Sequence, residues 1–395
     1  MNMSRALPVF RSLALLALSA LLAGCVSVNP MRWFDSEKPA TPPAALTEVA
    51  NQIQPRVLWQ ANIGGGADDK LLKLEPAIHD GRVYLANAQG QVEARNAANG
   101  ALHWRLDTNS PASGGPGAGE GLVVIGTHKA EVIALDAAKG TKRWQARVSS
   151  EVLSVPRIGR GLVVVHTLDG KLVALDAASG EQRWQYGHEV PVLSLRGNSS
   201  PVIHDGSVIC GFANGKLASL DLASGNLNWE VSVGIASGRT ELDRMTDIDA
   251  DPLVLGDRIY VVTFQGDLAA LSVSDGAVLW RQKLSSYSGL GGDGHQLYVT
   301  DAQDQVRAFD PQSSNHLWKQ SKMQYRRLSA PTPFGGYVVA GDYQGYLHWL
   351  RPEDGSLVAR TRLGSSAITA RPKVRDNRLY VYGDGGDFAV IGLGN

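Results

Sequence analysis

Apolar and polar positions alternate with a period of two along most of the chain. Residues 161–175 show the pattern clearly. Leu162-Val163-Val164-Val165 is a β-rich run, Leu168-Asp169-Gly170 is a turn, and Lys171–Leu175 is a second run. Asp-Gly favours a hairpin because it supplies the positive φ angles that primed turns require. The chain turns again between Asp176 and Gly180, and a third strand begins near Trp184. The same grammar recurs at Arg82–Trp104, Leu122–Trp144, Ser207–Trp229, Arg258–Trp280, Gln296–Trp318 and Tyr337–Ala359. A glycine precedes the tryptophan by four in most units: Gly100 and Trp104, Gly140 and Trp144, Gly180 and Trp184, Gly225 and Trp229, Gly276 and Trp280. Ser314 replaces the glycine before Trp318, and Ala359 replaces the tryptophan after Gly355.

Short strands in units of about 42 residues, with turn signals every 8–12 residues, predict a β-propeller. Helical solenoids of similar period are excluded, because glycine inside each half-unit would break their helices. Seven units end at Trp104 through Ala359. Three further strands follow, at Ile368–Val374, Arg378–Tyr382 and Phe388–Leu393, and lack a fourth. Val57–Ile63, at the other end, supplies it. The expected fold is therefore all-β: an eight-bladed β-propeller of four-stranded antiparallel blades. The N-terminal strand completes the last blade and closes the ring, which removes an open sheet edge.

Composition changes this picture little. The chain has 395 residues, 38 basic and 38 acidic, with 44 Gly and 2 Cys. Balanced charge argues against nucleic acid as a partner, since phosphate binding needs a basic surplus. Two cysteines cannot make a disulfide framework or a four-thiolate metal site. Cys210, in the strand-like Ser207–Phe212, reads as a small core residue.

The N-terminus reads as an address. Arg5 and Arg11 precede the apolar run Leu13–Leu22, which is too short to span a bilayer and fits a signal peptide. Leu22-Ala23-Gly24-Cys25 resembles the lipobox of bacterial lipoproteins, which implies cleavage after residue 24 and a lipidated, palmitate-bearing Cys25. Val26, rather than Asp, follows the cysteine, so the resemblance implies an outer-membrane lipoprotein at the periplasmic face. Residues 25–55, broken by Pro30, Pro39, Pro42, Pro43 and Pro55, are expected to be a flexible tether with a short helix around Ala44–Ile53. The propeller is expected over 56–395.

Ala174-Leu175-Asp176, with Gly180 and Trp184 at fixed offsets, resembles the tryptophan-docking repeat of quinoprotein dehydrogenases. That resemblance raises an enzyme hypothesis needing pyrroloquinoline quinone, a calcium ion and adjacent cysteines, and the chain has no cysteine pair. Asp247-Ile248-Asp249-Ala250-Asp251 begins like a calcium loop, but Pro252 and Arg258 stand where Gly and a bidentate Glu belong. Ser113–Glu120 is Gly-rich without phosphate-binding spacing and reads as a mobile loop. No metalloprotease or nucleophile-elbow motif occurs. The expectation is no enzyme, no catalytic residue, no metal and no cofactor.

The combination of lipobox, tether and eight such repeats resembles the BamB family, lipoprotein subunits of the outer-membrane β-barrel assembly machinery. The likeness covers essentially the whole chain. It implies a non-enzymatic scaffold in the Bam complex that binds the POTRA domains of BamA and assists insertion of outer-membrane β-barrel proteins, with unfolded substrates as further candidate partners. The two most irregular inter-repeat spacings, Trp184 to Trp229 and Trp229 to Trp280, fit this, because insertions in repeat folds map to loops on a binding face. The first carries Leu193, Leu195 and Arg196, apolar residues beside an arginine, as binding hot spots prefer. The second carries Asp247 and Asp249. The resemblance gives the Leu-Ser-Leu-Arg-Gly and Asp-x-Asp segments contact with BamA, so these five residues are the expected partner site. A quinoprotein-type dehydrogenase and a ligand-binding propeller are the alternatives.

Overall fold

The structure, a computed structural model, describes residues 41–67, 72–191, 193–195, 197–234, 240 and 245–394. The expected signal peptide, the lipidation of Cys25 and the contact role of Arg196 lie outside the described residues. The chain divides into two compact units, 1–42 and 43–395, and the second is described below.

The described residues form eight sheets, seven of four strands and one of five. Blade 3 is representative: Arg157–Gly159, Leu162–His166, Lys171–Asp176 and Gln182–Gly187 pair in sequence order, each antiparallel to the next. Blades 1 to 7 follow one another along the chain. Blade 8 takes three strands from the C-terminus, Lys373–Arg375, Arg378–Tyr382 and Asp387–Leu393, and its outer strand, Pro55–Asn62, from the other end. The ring closes as the repeat arithmetic requires. Apolar residues from facing blades, such as Val124 and Val163, are fully buried together.

The repeated glycine and tryptophan do not serve the same blade. Each indole Nε1–H donates to a carbonyl of the next blade: Trp59 to Ala97, Trp104 to Ala137, Trp144 to Ala177, Trp184 to Leu222, Trp229 to Val273, Trp280 to Pro311 and Trp318 to Pro352, at 2.6–3.1 Å. Except for Trp280, whose next blade carries Ser314 at this position, the ring face lies on that next blade's turn glycine. A Cβ on Gly180 would stand 2.7 Å from the Trp144 ring, and one on Gly355 would stand 2.3 Å from Trp318. These glycines also have positive φ, +78° at Gly180. Each repeat thus offers a seat to its predecessor and a tryptophan to its successor.

Blade 7 departs from the pattern for a structural reason. In blades 1 to 6 a small third-strand residue faces the tryptophan, as Ala174 faces Trp184. In blade 7 the pair is exchanged, with Trp349 in the third strand facing Ala359 in the fourth. Blade 8 has no continuous turn between its third and fourth strands, because the chain's two ends meet there, so no turn glycine exists to receive an indole. Residues 44–53 fill the seam instead. Ile53 packs with Val358 and Ala359, and the Gln52 N–H donates to the Val358 carbonyl at 2.8 Å. Arg360 donates to the Thr47 carbonyl (2.6 Å) and Arg326 to the Ala44 carbonyl (2.9 Å).

This corrects the expectation of a free tether with a short helix at Ala44–Ile53. That segment is a non-helical strap tied to blade 7 and the loop before it through the backbone groups of Ala44, Thr47 and Gln52. The Gly-rich segment at 113–119, expected to be a mobile loop, is corrected too. Ala112–Gly119 is the inner strand of blade 2. Its glycines answer to crowding near the axis: a Cβ on Gly117 would stand 2.0 Å from the Pro156 carbonyl oxygen of the next blade. The primed turns fall at first-to-second hairpins, such as Asp80-Gly81 (φ +47° and +68°). At Asp169-Gly170 only the glycine has positive φ, and the turn is a longer one closed by the Gly170 N–H on the Thr167 carbonyl.

Candidate functional site

The described parts of the loops joining the outer strand of one blade to the inner strand of the next emerge on one face of the ring. They bond the second-to-third hairpins, as His188 N–H does to Gly170 O and Thr108 N–H to Gly90 O. At the centre of this face they enclose a funnel of about 370 Å³.

The segment 245–251 forms one wall, wedged between blades 4 and 5. Ile248 fills the space above Gly211 and donates its N–H to the Phe212 carbonyl (3.2 Å), while Phe264 N–H donates to the Asp247 carbonyl (2.9 Å). These bonds fix Asp247, which is buried, with its Oδ2 accepting the Leu195 N–H in a short hydrogen bond. Asp249, half-buried, lies against Gly197 and lines the funnel. Asp251 is deeper. It accepts Lys73 Nζ at 2.5 Å and the Ser200 N–H at 2.6 Å, with Arg157 at 3.4 Å. Lys73 sits on the short strand Lys73–Leu74, which pairs parallel with Gly114 and Gly115 of blade 2. Beside this pair, Lys373 meets Glu75 at 2.5 Å. These paired charges form part of the floor, together with Arg371.

The structure brings Leu195, Asp247 and Asp249 together as one unit and leaves Leu193 beside them, 46% exposed, in a loop. Asp247, expected as a partner contact, is 1% exposed and accepts the Leu195 N–H, which holds that backbone in place. Leu195 and Asp249 face the funnel. Sequence reasoning missed Tyr287 and Arg327 on the rim and the Lys73–Asp251 pair in the floor. Asp251 was visible in the acidic run, but nothing in the linear order joined it to Lys73.

Burial pushes the Asp247 carboxyl up to about 7, opposed by the Leu195 N–H and reinforced by Asp249. Burial likewise raises Asp249 to about 6, opposed by Lys73. A carboxyl raised in the folded state holds its proton where the unfolded chain, titrating near 3.9, has lost it. Its contribution to stability therefore falls as pH rises from about 4 to about 7. Asp247→Asn keeps an acceptor for Leu195 N–H and removes this titration. Its stability relative to the unaltered chain should rise between pH 4 and pH 8. Urea midpoints at the two pH values check this, and a pH-independent difference would refute it.

The three carboxylates of the acidic run diverge, to Leu195, to the Gly197 wall and to Lys73, and do not converge on a cation. Among the described residues no cluster of three or more His, Cys, Asp or Glu is placed to hold a metal. Cys210 is buried in blade 4 and its thiol is pushed up by burial, as befits a core residue.

These features define the class: an eight-bladed propeller of the tryptophan-docking kind, closed by its N-terminal strand, with an apolar funnel and short irregular loops on one face. Residues 88–320 and 302–393 match the family described as "Outer membrane protein assembly factor BamB". The protein of that name from Pseudomonas aeruginosa is 45% identical over 94% of this chain and 96% of its own length. That from Escherichia coli is 35% identical over 91% of this chain and 95% of its own. The chain belongs to the BamB family of outer-membrane protein assembly factors. The crystal structure of BamB from Moraxella catarrhalis superposes with a TM-score of 0.79 at 28% identity, covering 86% of this chain and all of that one. A europium-containing methanol dehydrogenase shares the fold at TM-score 0.69 but only 13% identity.

Proposed function

We propose that this chain is a lipid-anchored, non-enzymatic subunit of the outer-membrane β-barrel assembly complex. It stands at the periplasmic face of the outer membrane, binds the POTRA domains of BamA through its loop face, and assists insertion of β-barrel proteins. Leu193, Leu195, Arg196 and Asp249 are the contact residues, and Asp247 holds their segment. The observation that carries the reading is the Asp247–Leu195 hydrogen bond. It ties the two irregular inter-repeat segments into one preorganised surface with Leu193 presented outward. Preorganisation of this kind lowers the entropy lost on binding.

The test is purification of the tagged chain from detergent-solubilised outer membranes. BamA should co-purify with it. Recovery without BamA, or with a quinone-dependent dehydrogenase activity in its place, would overturn the reading. The anchor is tested separately. Cys25→Ser should shift the chain from the outer-membrane fraction to soluble periplasm, and a variant that stays membrane-bound through alkaline carbonate washing would refute lipid anchoring at this residue. A single acyl chain binds membranes only marginally, so stable retention implies multiple chains on the anchor.

A further inference from the structure

The funnel has properties that the partner-binding reading does not use. Its wall includes apolar residues from five separate segments, Leu72, Leu153, Leu195, Leu290 and Leu328. Four charges at its floor pair with one another, Lys73 with Asp251 and Glu75 with Lys373, and Arg371, which also lines it, donates to the Thr332 hydroxyl. On the rim stand two residues of the types that dominate binding hot spots, Tyr287 and Arg327. Tyr287 is a large aromatic side chain left 42% exposed. Arg327 is exposed, and no carboxylate pairs with its guanidinium among the described residues.

Both are organised by one buried group. Asp304, 2% exposed, accepts the Tyr287 hydroxyl (3.4 Å), the Arg327 N–H (2.8 Å) and the Leu328 N–H (2.9 Å). The loop it holds is strained, with Tyr325 and Arg327 both in the left-handed region at φ +57° and +50°. Non-glycine residues persist there only when the surroundings over-determine them, and such strain gathers at functional sites. Asp304 thus fixes the backbone that carries the Arg327 guanidinium at the mouth.

We infer that the funnel is the seat for an apolar side chain of the partner, whose neighbouring carboxylate pairs with Arg327 while Tyr287 packs over the inserted group. The inference rests on the reading of the loop face as the BamA-binding surface, and it names what that surface recognises: an apolar residue beside an acidic one on an exposed loop or strand edge. Continuity supports this occupant, because Leu195 belongs both to the proposed contact segment and to the funnel wall. Charge complementarity supports it as well, through Arg327.

The experiment measures affinity between the full mature chain and full-length BamA of the same organism in detergent. Tyr287→Ala and Arg327→Glu should each weaken binding about tenfold or more, as hot-spot truncations do. Arg327→Glu should leave the thermal midpoint within the range of exposed substitutions. Reversing the partner's matching acidic residue to Lys should restore affinity to Arg327→Glu and weaken it for the unaltered chain. If Tyr287→Ala and Arg327→Glu bind normally while Leu193→Asp does not, the inference falls and the partner reading stands. If the unaltered chain fails to bind BamA, both fall. A small molecule retained in the funnel on purification and undisplaced by BamA, seen by native mass spectrometry, would also overturn it.

Discussion

Gly180→Ala should destabilise the ring by about 3 kcal/mol or more, while Gly81→Ala should cost about 1–2 kcal/mol. Both glycines have positive φ, +78° and +68°. Both substitutions therefore carry the left-handed penalty of an L-residue. They differ in what the new methyl group meets. A Cβ on Gly81 finds open space within 4 Å, whereas one on Gly180 stands 2.7 Å from the Trp144 ring. The excess at Gly180 is thus the cost of lifting an indole from its seat, including its 2.8 Å bond to the Ala177 carbonyl. Double substitutions sharpen the test. Gly180 and Trp184 lie in one repeat but serve different junctions, so Gly180→Ala and Trp184→Ala should add. Gly180 and Trp144 share a junction, so Gly180→Ala should cost little more once Trp144→Ala has emptied the seat. Urea unfolding of the four single and two double variants measures this. Equal losses for Gly180→Ala and Gly81→Ala would refute the docking account.

The ring was legible in the sequence because its information is local and repeated. Trp59 at one end and the three orphan strands at the other counted out the eighth blade before any contact was known. Even the exception at Ala359 was visible, although its explanation was not. The exchange with Trp349 becomes apparent only when strand register pairs the two residues. What stayed hidden was contact across long sequence separations. The strap at 44–53 meets Arg326, Val358 and Arg360 some three hundred residues away, and the prolines flanking it, Pro42, Pro43 and Pro55, read locally as a tether. The glycines at 113–119 read as a loop because glycine usually signals a turn. The backbone that crowds them belongs to the next blade.

The candidate site divides in the same way. Unequal repeat spacing pointed to Leu193, Leu195, Asp247 and Asp249, since an insertion in a regular repeat is a signal in itself. Which of these faces a partner depends on burial, and that separates Asp247 from Leu193. Tyr287 and Arg327 lie in inter-blade loops of ordinary length. Nothing marks them until the funnel places them beside Leu195.

Leu193→Asp should weaken binding to BamA by about 2 kcal/mol or more, on the order of thirtyfold or greater, without altering stability. Its side chain is 46% exposed in the free chain and faces no core cluster, so an aspartate there is solvated. The loss arises only when a partner must cover the new carboxylate. Asp247→Ala should produce a comparable loss by another route. The residue is too buried to touch a partner, yet its removal strands the Leu195 N–H. An unmet buried donor costs about 1–3 kcal/mol, and the 193–197 segment relaxes to escape that cost, leaving binding to re-order it. Asp247→Asn retains an acceptor and should retain binding, which distinguishes positioning from charge. Calorimetric titration of the mature chain with BamA in detergent reads all three variants. Wild-type affinity in both Leu193→Asp and Asp247→Ala would remove the loop face from the interface. Loss in Asp247→Asn equal to that in Asp247→Ala would show that the carboxylate's charge, rather than the hydrogen bond it accepts, holds the surface.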